Sequence, residues 1–136
     1  MDAVTEVRLA NRAFYDAFEA RDLDAMSEVW ERSDRALCTH PGWATLRGWA
    51  AVAGSFFALF QSSQSLQFIL TQERVFVQDG VAWVAVDENL LGDQGGSTVA
   101  AVNVFVRDAG SARWRMVCHH GSVVSSTVSD GPEEAQ

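Results

Sequence analysis

Apolar positions along this chain change their period near its middle. Up to residue 60 they recur at three- and four-residue intervals, and from residue 66 they fall mostly on every second residue. Val7, Ala10, Phe14, Ala17 and Phe18 form one stripe and predict a helix over about Ala3 to Ala20, which Asp2 or Thr5 can cap. Tyr15 borders that stripe. Arg21-Asp22 interrupts it, and Asp22 suits an N-cap. Leu23, Met26, Val29 and Trp30 then mark a short second helix, antiparallel to the first across a tight turn. Arg35 to His40 reads as a strand ended by Pro41-Gly42, because Pro cannot donate to a ladder. After Gly48, the residues Trp49, Val52, Ala53, Phe56, Phe57 and Phe60 give the clearest helical period in the chain.

Four longer strands follow. In Leu66 to Val77 the apolar parity switches from Leu66, Phe68 and Leu70 to Val75 and Val77, which predicts a bulge or sharp bend. Asp79-Gly80 is a hairpin turn. Val81 to Leu91 is the second strand, with a Gly-rich loop over Gly92 to Ser97. Thr98 to Arg107 and Arg113 to Val124 complete the meander. Residues 126–136 have nothing to bury and are expected to be a disordered tail, leaving 1–125 as one domain. Segregated helices and strands predict an α+β fold, with the helices packed on one face of a curved antiparallel or mixed sheet. If the sheet wraps the helices, the two form a cone whose open end is a pocket.

Composition narrows the partners. A chain of 136 residues can bury a sizeable core without disulfides. Cys38 and Cys118 have neither metal nor redox spacing and read as buried thiols. The net charge is −8, with ten Arg and no Lys. Such a surface repels phosphates, which argues against nucleic acid and anionic lipid. The acidic first residues lack a basic signal-peptide region and no apolar run is long enough to span a membrane, so the expected location is cytoplasmic. The Arg-only, Ala-rich usage fits a GC-rich bacterial genome.

Three motifs carry a resemblance: Cys38-Thr39-His40-Pro41-Gly42-Trp43 with Gly48-Trp49, Asn103-Val104-Phe105-Val106-Arg107, and Trp114 through Ser122. Over about residues 3 to 125 the chain resembles the nuclear transport factor 2-like superfamily, in its SnoaL-like, polyketide-cyclase-like branch. The resemblance implies a conical α+β fold and a homodimer formed through the outer sheet face. It does not choose a reaction, because the superfamily hosts isomerases, cyclases, dehydratases, epoxide hydrolases and non-catalytic domains.

Within that frame several residues can carry chemistry. His40 ends the first strand beside Trp43, either as a general acid or base or as a hydrogen-bonded anchor of the Pro-Gly turn. His119 and His120 must point to opposite faces of a strand. Alternation groups His120 with Trp114, Met116, Cys118 and Ser122. The resemblance implies that this face looks inward, so His120 is expected inside and His119 outside. Glu88 shares a face with Ala82, Val84, Val86 and Leu90, where desolvation would raise its pKa and suit it to proton abstraction; a structural salt bridge is the alternative. Asn103 interrupts an apolar strand and needs partners, from a ligand carbonyl or from the protein. Tyr15, Trp30, Trp43, Trp49 and Phe56 supply an aromatic wall that is either ligand-lining or simply core.

The steroid-isomerase relatives pair a Tyr with a protonated Asp, and Tyr15 shows no such partner at the matching places. No phosphate loop, nucleophile elbow or Cys/His metal spacing is present in the sequence, so no metal or cofactor is expected. Two readings remain. One is a pocket for a small apolar carbonyl compound, with cofactor-independent isomerisation, dehydration or cyclisation by Glu88, His40 and His120. The other is a non-catalytic dimeric domain that binds a ligand or partner. A sealed core favours the second, and an open pocket of roughly 300 Å³ or more reached by a His and a Glu favours the first.

Overall fold

A computed structural model describes residues 1–62, 64–92 and 95–125. Helix α1 spans Ala3–Ala20, and the Asp2 carboxylate caps it by accepting from the Thr5 backbone N–H at 2.7 Å. Helix α2, Leu23–Val29, is capped the same way by Asp22, which accepts from the Ala25 N–H at 3.0 Å. Strands β1 (Leu37–Thr39) and β2 (Leu46–Arg47) precede helix α3, Trp49–Phe60. Strands β3 (Leu66–Gln78), β4 (Val81–Gly92), β5 (Gly95–Arg107) and β6 (Trp114–Val123) follow.

All six strands form one sheet in the order β2-β1-β6-β5-β4-β3. Among the described strands the β1–β6 pairing is parallel and the others are antiparallel, and an isolated parallel bridge joins Trp30 to Met116. The sheet is mixed and open, with β2 and β3 as its edges, so it cups the helices without closing around them. Strand β2 has two residues, too short to show an alternation. The expected six-residue loop after Leu91 is mostly ladder, since Leu91 pairs with Gly96 and Gly92 with Gly95. The tail expected over residues 126–136 lies outside the described residues.

Two irregularities shape the cup. In β3 the register shifts between Thr71 and Arg74, where the change of apolar parity predicts it. Gln72 takes a left-handed conformation there, with φ 56°. In β6 Met116 pairs with Phe105 and Cys118 with Val104, which leaves Val117 as an extra residue on that strand. A bulge of this kind bends a strand and reverses which side chains face inward beyond it. Trp114 and Met116 are buried before the bulge, and His119 and Gly121 after it.

The core fills the cup. Phe14 and Tyr15 from α1, Trp30 after α2, Val52 and Phe56 from α3, and Val84, Phe105 and Met116 from the sheet are fully buried. Phe56 is central. Its ring lies 5.1 to 6.2 Å from those of Phe14, Phe18, Trp30, His40 and Phe60.

Candidate functional site

The concave face of the sheet carries three buried polar side chains, on the adjacent strands β4, β5 and β6. They are Glu88 on β4, Asn103 on β5 and His119 on β6. Helix α1 presses Tyr15 and Asn11 against them. Asn11 lies four residues before Tyr15 and four after Val7, hence on the buried stripe. Glu88 is 3% exposed, His119 2%, and Tyr15, Asn11 and Asn103 are fully enclosed. Burial of this many polar groups is tolerated only if they satisfy one another.

They do. The Tyr15 hydroxyl donates to Glu88 Oε2 at 2.6 Å. Asn103 Nδ2 donates to the Tyr15 oxygen at 3.0 Å and to Asn11 Oδ1 at 2.8 Å. His119 Nδ1 donates to Asn103 Oδ1 at 2.6 Å. The His119 ring therefore turns Nε2 toward Glu88 Oε2, at 4.0 Å. At the rim, Asn11 Nδ2 donates to Glu73 Oε2 at 3.1 Å. The Glu73 carboxylate also pairs with Arg8, whose Nε lies 3.1 Å from Oε1.

This environment sets the protonation states. Desolvation pushes the Glu88 carboxyl up to about 7, and the Tyr15 hydrogen bond only partly opposes it. Desolvation, with the Glu88 charge beside it, raises Tyr15 above its ordinary value, so the phenol keeps its proton. Burial lowers His119 to about 3, helped by the nearby His40 and His120. At neutral pH His119 is therefore uncharged, and the 4.0 Å contact is a carboxyl–imidazole pair rather than an ion pair. A carboxyl poised near 7 in an apolar enclosure is suited to exchanging a proton with a substrate.

The predicted site residues sort into three groups. Glu88, Asn103 and Tyr15 come together, and Tyr15 finds in Glu88 the partner that was not evident from the sequence. His120 does not join them. It is exposed on the convex face, and His119 takes the inward position expected for it. The extra residue in β6 reverses the parity on which the expectation rests. His40, which follows β1, is buried against α3 instead of lining the mouth of the cup. Its Nε2–H donates to Ser55 Oγ at 2.9 Å, while Ser55 donates to the Val52 carbonyl. Burial lowers His40 to about 4. Its ring centre lies 6.4 Å from that of His119, so it borders the cluster without bonding to it.

The aromatic wall is divided as well. Trp30 and Phe56 are fully buried, Trp49 half-buried, and Trp43 is 43% exposed outside His40. The Trp30 indole N–H has no acceptor among the described residues. The open end of the cup holds a recess of about 320 Å³ between α1, α3 and the β4–β5 hairpin. Phe18, Leu59, Phe60, Leu66 and Leu90 form its apolar lining. None of the five predicted aromatic residues is among its described lining. Leu90 shares the concave face of β4 with Glu88. Phe18 meets Phe14 and Phe68 edge-on, and those rings in turn cover His119 and Tyr15. One layer of aromatic rings thus separates the recess from the polar cluster.

Asn11, Glu73 and His119 were not anticipated as site members. Asn11 leaves a signal in the sequence, as a polar residue on an apolar stripe. Glu73 sits in the stretch where the apolar parity changes. Among the described residues, no three His, Cys, Asp or Glu side chains gather in a metal-holding arrangement. No helix is long and apolar enough to cross a membrane.

Known proteins share this architecture. A protein of Streptomyces avermitilis, provisionally named a dehydratase of the nuclear transport factor 2-like family, superimposes with a TM-score of 0.82 at 35% identity, covering 90% of this chain and 96% of that one. A provisionally named calcium/calmodulin-dependent protein kinase type II association domain from Thiobacillus denitrificans is 41% identical, with a TM-score of 0.72 over 85% of this chain and 92% of that one. The F-box protein SKIP8 of Arabidopsis thaliana is 31% identical over 114 residues, 84% of this chain and 48% of that protein, so this chain spans about half its length. The SnoaL-like domain matches residues 7–126, and with a cystatin-like cup around a buried Glu–Tyr–Asn–His cluster, the chain belongs to the SnoaL-like domain family.

Proposed function

We propose that this domain binds a small, apolar carbonyl compound in its cup and moves a proton on it without a cofactor, by isomerisation, dehydration or cyclisation. The observation that carries this reading is the Glu88 carboxyl, held near neutrality 4.0 Å from the bare Nε2 of His119. Glu88 takes the proton alpha to the carbonyl. Once Glu88 has taken that proton it is no longer a charged acceptor, and the Tyr15 hydroxyl, which keeps its own proton, turns from it to the developing enolate oxygen. His119 Nε2 is the second acid–base group. The recess beside Leu90 is the approach; neither Glu88 nor His119 reaches it in this structure, so the reaction requires the rings of Phe18 and Phe68 to part. The provisional dehydratase name of the Streptomyces relative agrees with this class of chemistry.

A melting screen over small carbonyl compounds tests the binding. A ligand at about 100 times its Kd adds about 2.7 kcal/mol to stability and raises the Tm accordingly. Such a rise with an apolar ketone or enone, absent in Phe18→Trp where the recess is filled, is the expected result. A panel without any rise removes the reading.

A second reading, self-assembly through the convex sheet face, has its own support. Ile69, Phe76, Trp83 and Val102 are exposed there, and Phe76 stacks on Trp83 at 5.6 Å. The relative from Thiobacillus is named for an association domain. Sedimentation at micromolar concentration is expected to give a homodimer that Trp83→Asp converts to monomer. A monomeric unaltered protein rules this out. The two readings are compatible, since they use opposite faces of the sheet.

A further inference from the structure

A carboxylate can only accept hydrogen bonds, and at Glu73 this fixes the direction of every bond behind it. Arg8 Nε donates to one oxygen and Asn11 Nδ2 to the other. Asn11 must then turn Oδ1 inward, where it accepts from Asn103 Nδ2 at 2.8 Å. The same Asn103 nitrogen donates to the Tyr15 oxygen, so the hydroxyl proton of Tyr15 is directed to Glu88. Asn103 Oδ1 is left facing His119 Nδ1 at 2.6 Å, and that nitrogen must carry the ring proton.

We propose that Glu73, at the rim of the cup, sets the tautomer of buried His119 and the direction of the Tyr15 hydroxyl through the two amides of Asn11 and Asn103. Glu73 is thus a positioning residue that touches neither Glu88 nor His119. The bulge in β3 makes this reach possible. Gln72 and Glu73 together face the single residue Val86 on β4, and the left-handed turn at Gln72 re-aims Glu73 toward Arg8 and Asn11 on α1.

The relay reverses only as a whole. Turning Asn103 alone would set its NH2 against the His119 N–H and its oxygen against the oxygen of Asn11. Turning both amides and moving the imidazole proton restores the bonds among Asn11, Asn103 and His119, but it presents an oxygen to the Glu73 carboxylate. In that reversed state Tyr15 donates to Asn103 and releases Glu88, and His119 points an N–H at Glu88. The two directions therefore place the proton next to Glu88 on different partners. As an account of chemistry this inference rests on the acid–base reading above. As an account of the tautomer it needs no substrate.

Long-range proton–nitrogen correlation NMR on ligand-free, histidine-labelled protein reads the tautomer directly. The chain has three histidines, and His40→Asn and His120→Asn assign the His119 signals. The unaltered protein is expected to hold His119 as Nδ1–H. Glu73→Leu, which removes the acceptor at a part-exposed position, is expected to shift the tautomer ratio toward Nε2–H on the order of tenfold, as fits the loss of one hydrogen-bond preference. Arg8→Leu, which loosens the rim but leaves the Glu73 carboxylate facing Asn11, keeps the original tautomer. Glu73→Gln gives its one oxygen to the donor-only Arg8 and its NH2 to Asn11, and it shifts the ratio the same way as Glu73→Leu. An Nε2–H ring in the unaltered protein, or an unmoved signal in Glu73→Leu, overturns the relay. An equal shift in Arg8→Leu also overturns it, because general loosening would then be the cause. None of these results depends on turnover, so the relay and the acid–base reading can fail separately.

Discussion

Glu88→Gln is expected to lower kcat on any converted substrate by at least about 100-fold, the scale of losing a general acid or base. The amide has the shape of the protonated carboxyl and can still accept from the Tyr15 hydroxyl, but it cannot take a proton. A second signature needs no substrate. Glu88 ionises at about 7 in the folded chain against 4.5 for a free carboxyl. Between those values the unfolded chain has lost a proton that the folded chain retains, so rising pH favours unfolding. This contribution to stability is fully present below pH 4.5 and is lost as the pH rises through about 7. Relative to Glu88→Gln, the unaltered protein is therefore expected to lose about 3 kcal/mol between the two ends of that window. His40 and His119 act in the opposite sense. Their depressed values cost stability as the pH falls from 6.5 through about 4 and about 3, respectively. Both histidines remain in the variant, so the difference between the two urea-unfolding series isolates Glu88. A flat difference across that range would show that Glu88 is not desolvated, and the acid–base proposal would lose its base.

Phe56→Ala should destabilise the fold by about 3–5 kcal/mol, the cost of a large aromatic-to-alanine cavity. Phe56 has no solvent exposure, and its ring touches those of both preceding helical elements, its own helix and His40. Neighbours that are rings themselves cannot collapse far into the space left behind. The urea midpoint is expected to fall with an unchanged m-value, the mark of altered stability without a change in the surface exposed on unfolding. A loss below about 1 kcal/mol would mean that the space inside the cup is soft enough to refill, contrary to the packing described.

Much of this molecule can be read from its residues in order. The stripe from Val7 to Phe18 gives α1 with its observed bounds, and Asp2 and Asp22 cap the helices as their side-chain chemistry predicts. The period of Trp49 to Phe60 gives α3, and the change of parity in Leu66 to Val77 gives the bulge in β3. Alternation along β4 places Glu88 on the buried face, and Asn103 stands out as polar in an apolar strand. These properties are local: they depend on which side of a helix or strand a residue occupies.

Only the tertiary structure decided which residues meet. The inward histidine depends on the single extra residue Val117, and a strand rich in both apolar and polar positions leaves that bulge no mark in its pattern. The pairing of Tyr15 with Glu88 joins residues 73 positions apart, and that of Asn11 with Asn103 joins residues 92 apart. Neither partner's neighbours in sequence carry information about the other. The direction of the relay is likewise collective, since each amide's orientation is set by the next and the series is anchored at a carboxylate on a different strand. Periodicity fixes the face a side chain looks from, whereas hydrogen-bond complementarity across the packed interior fixes what it looks at.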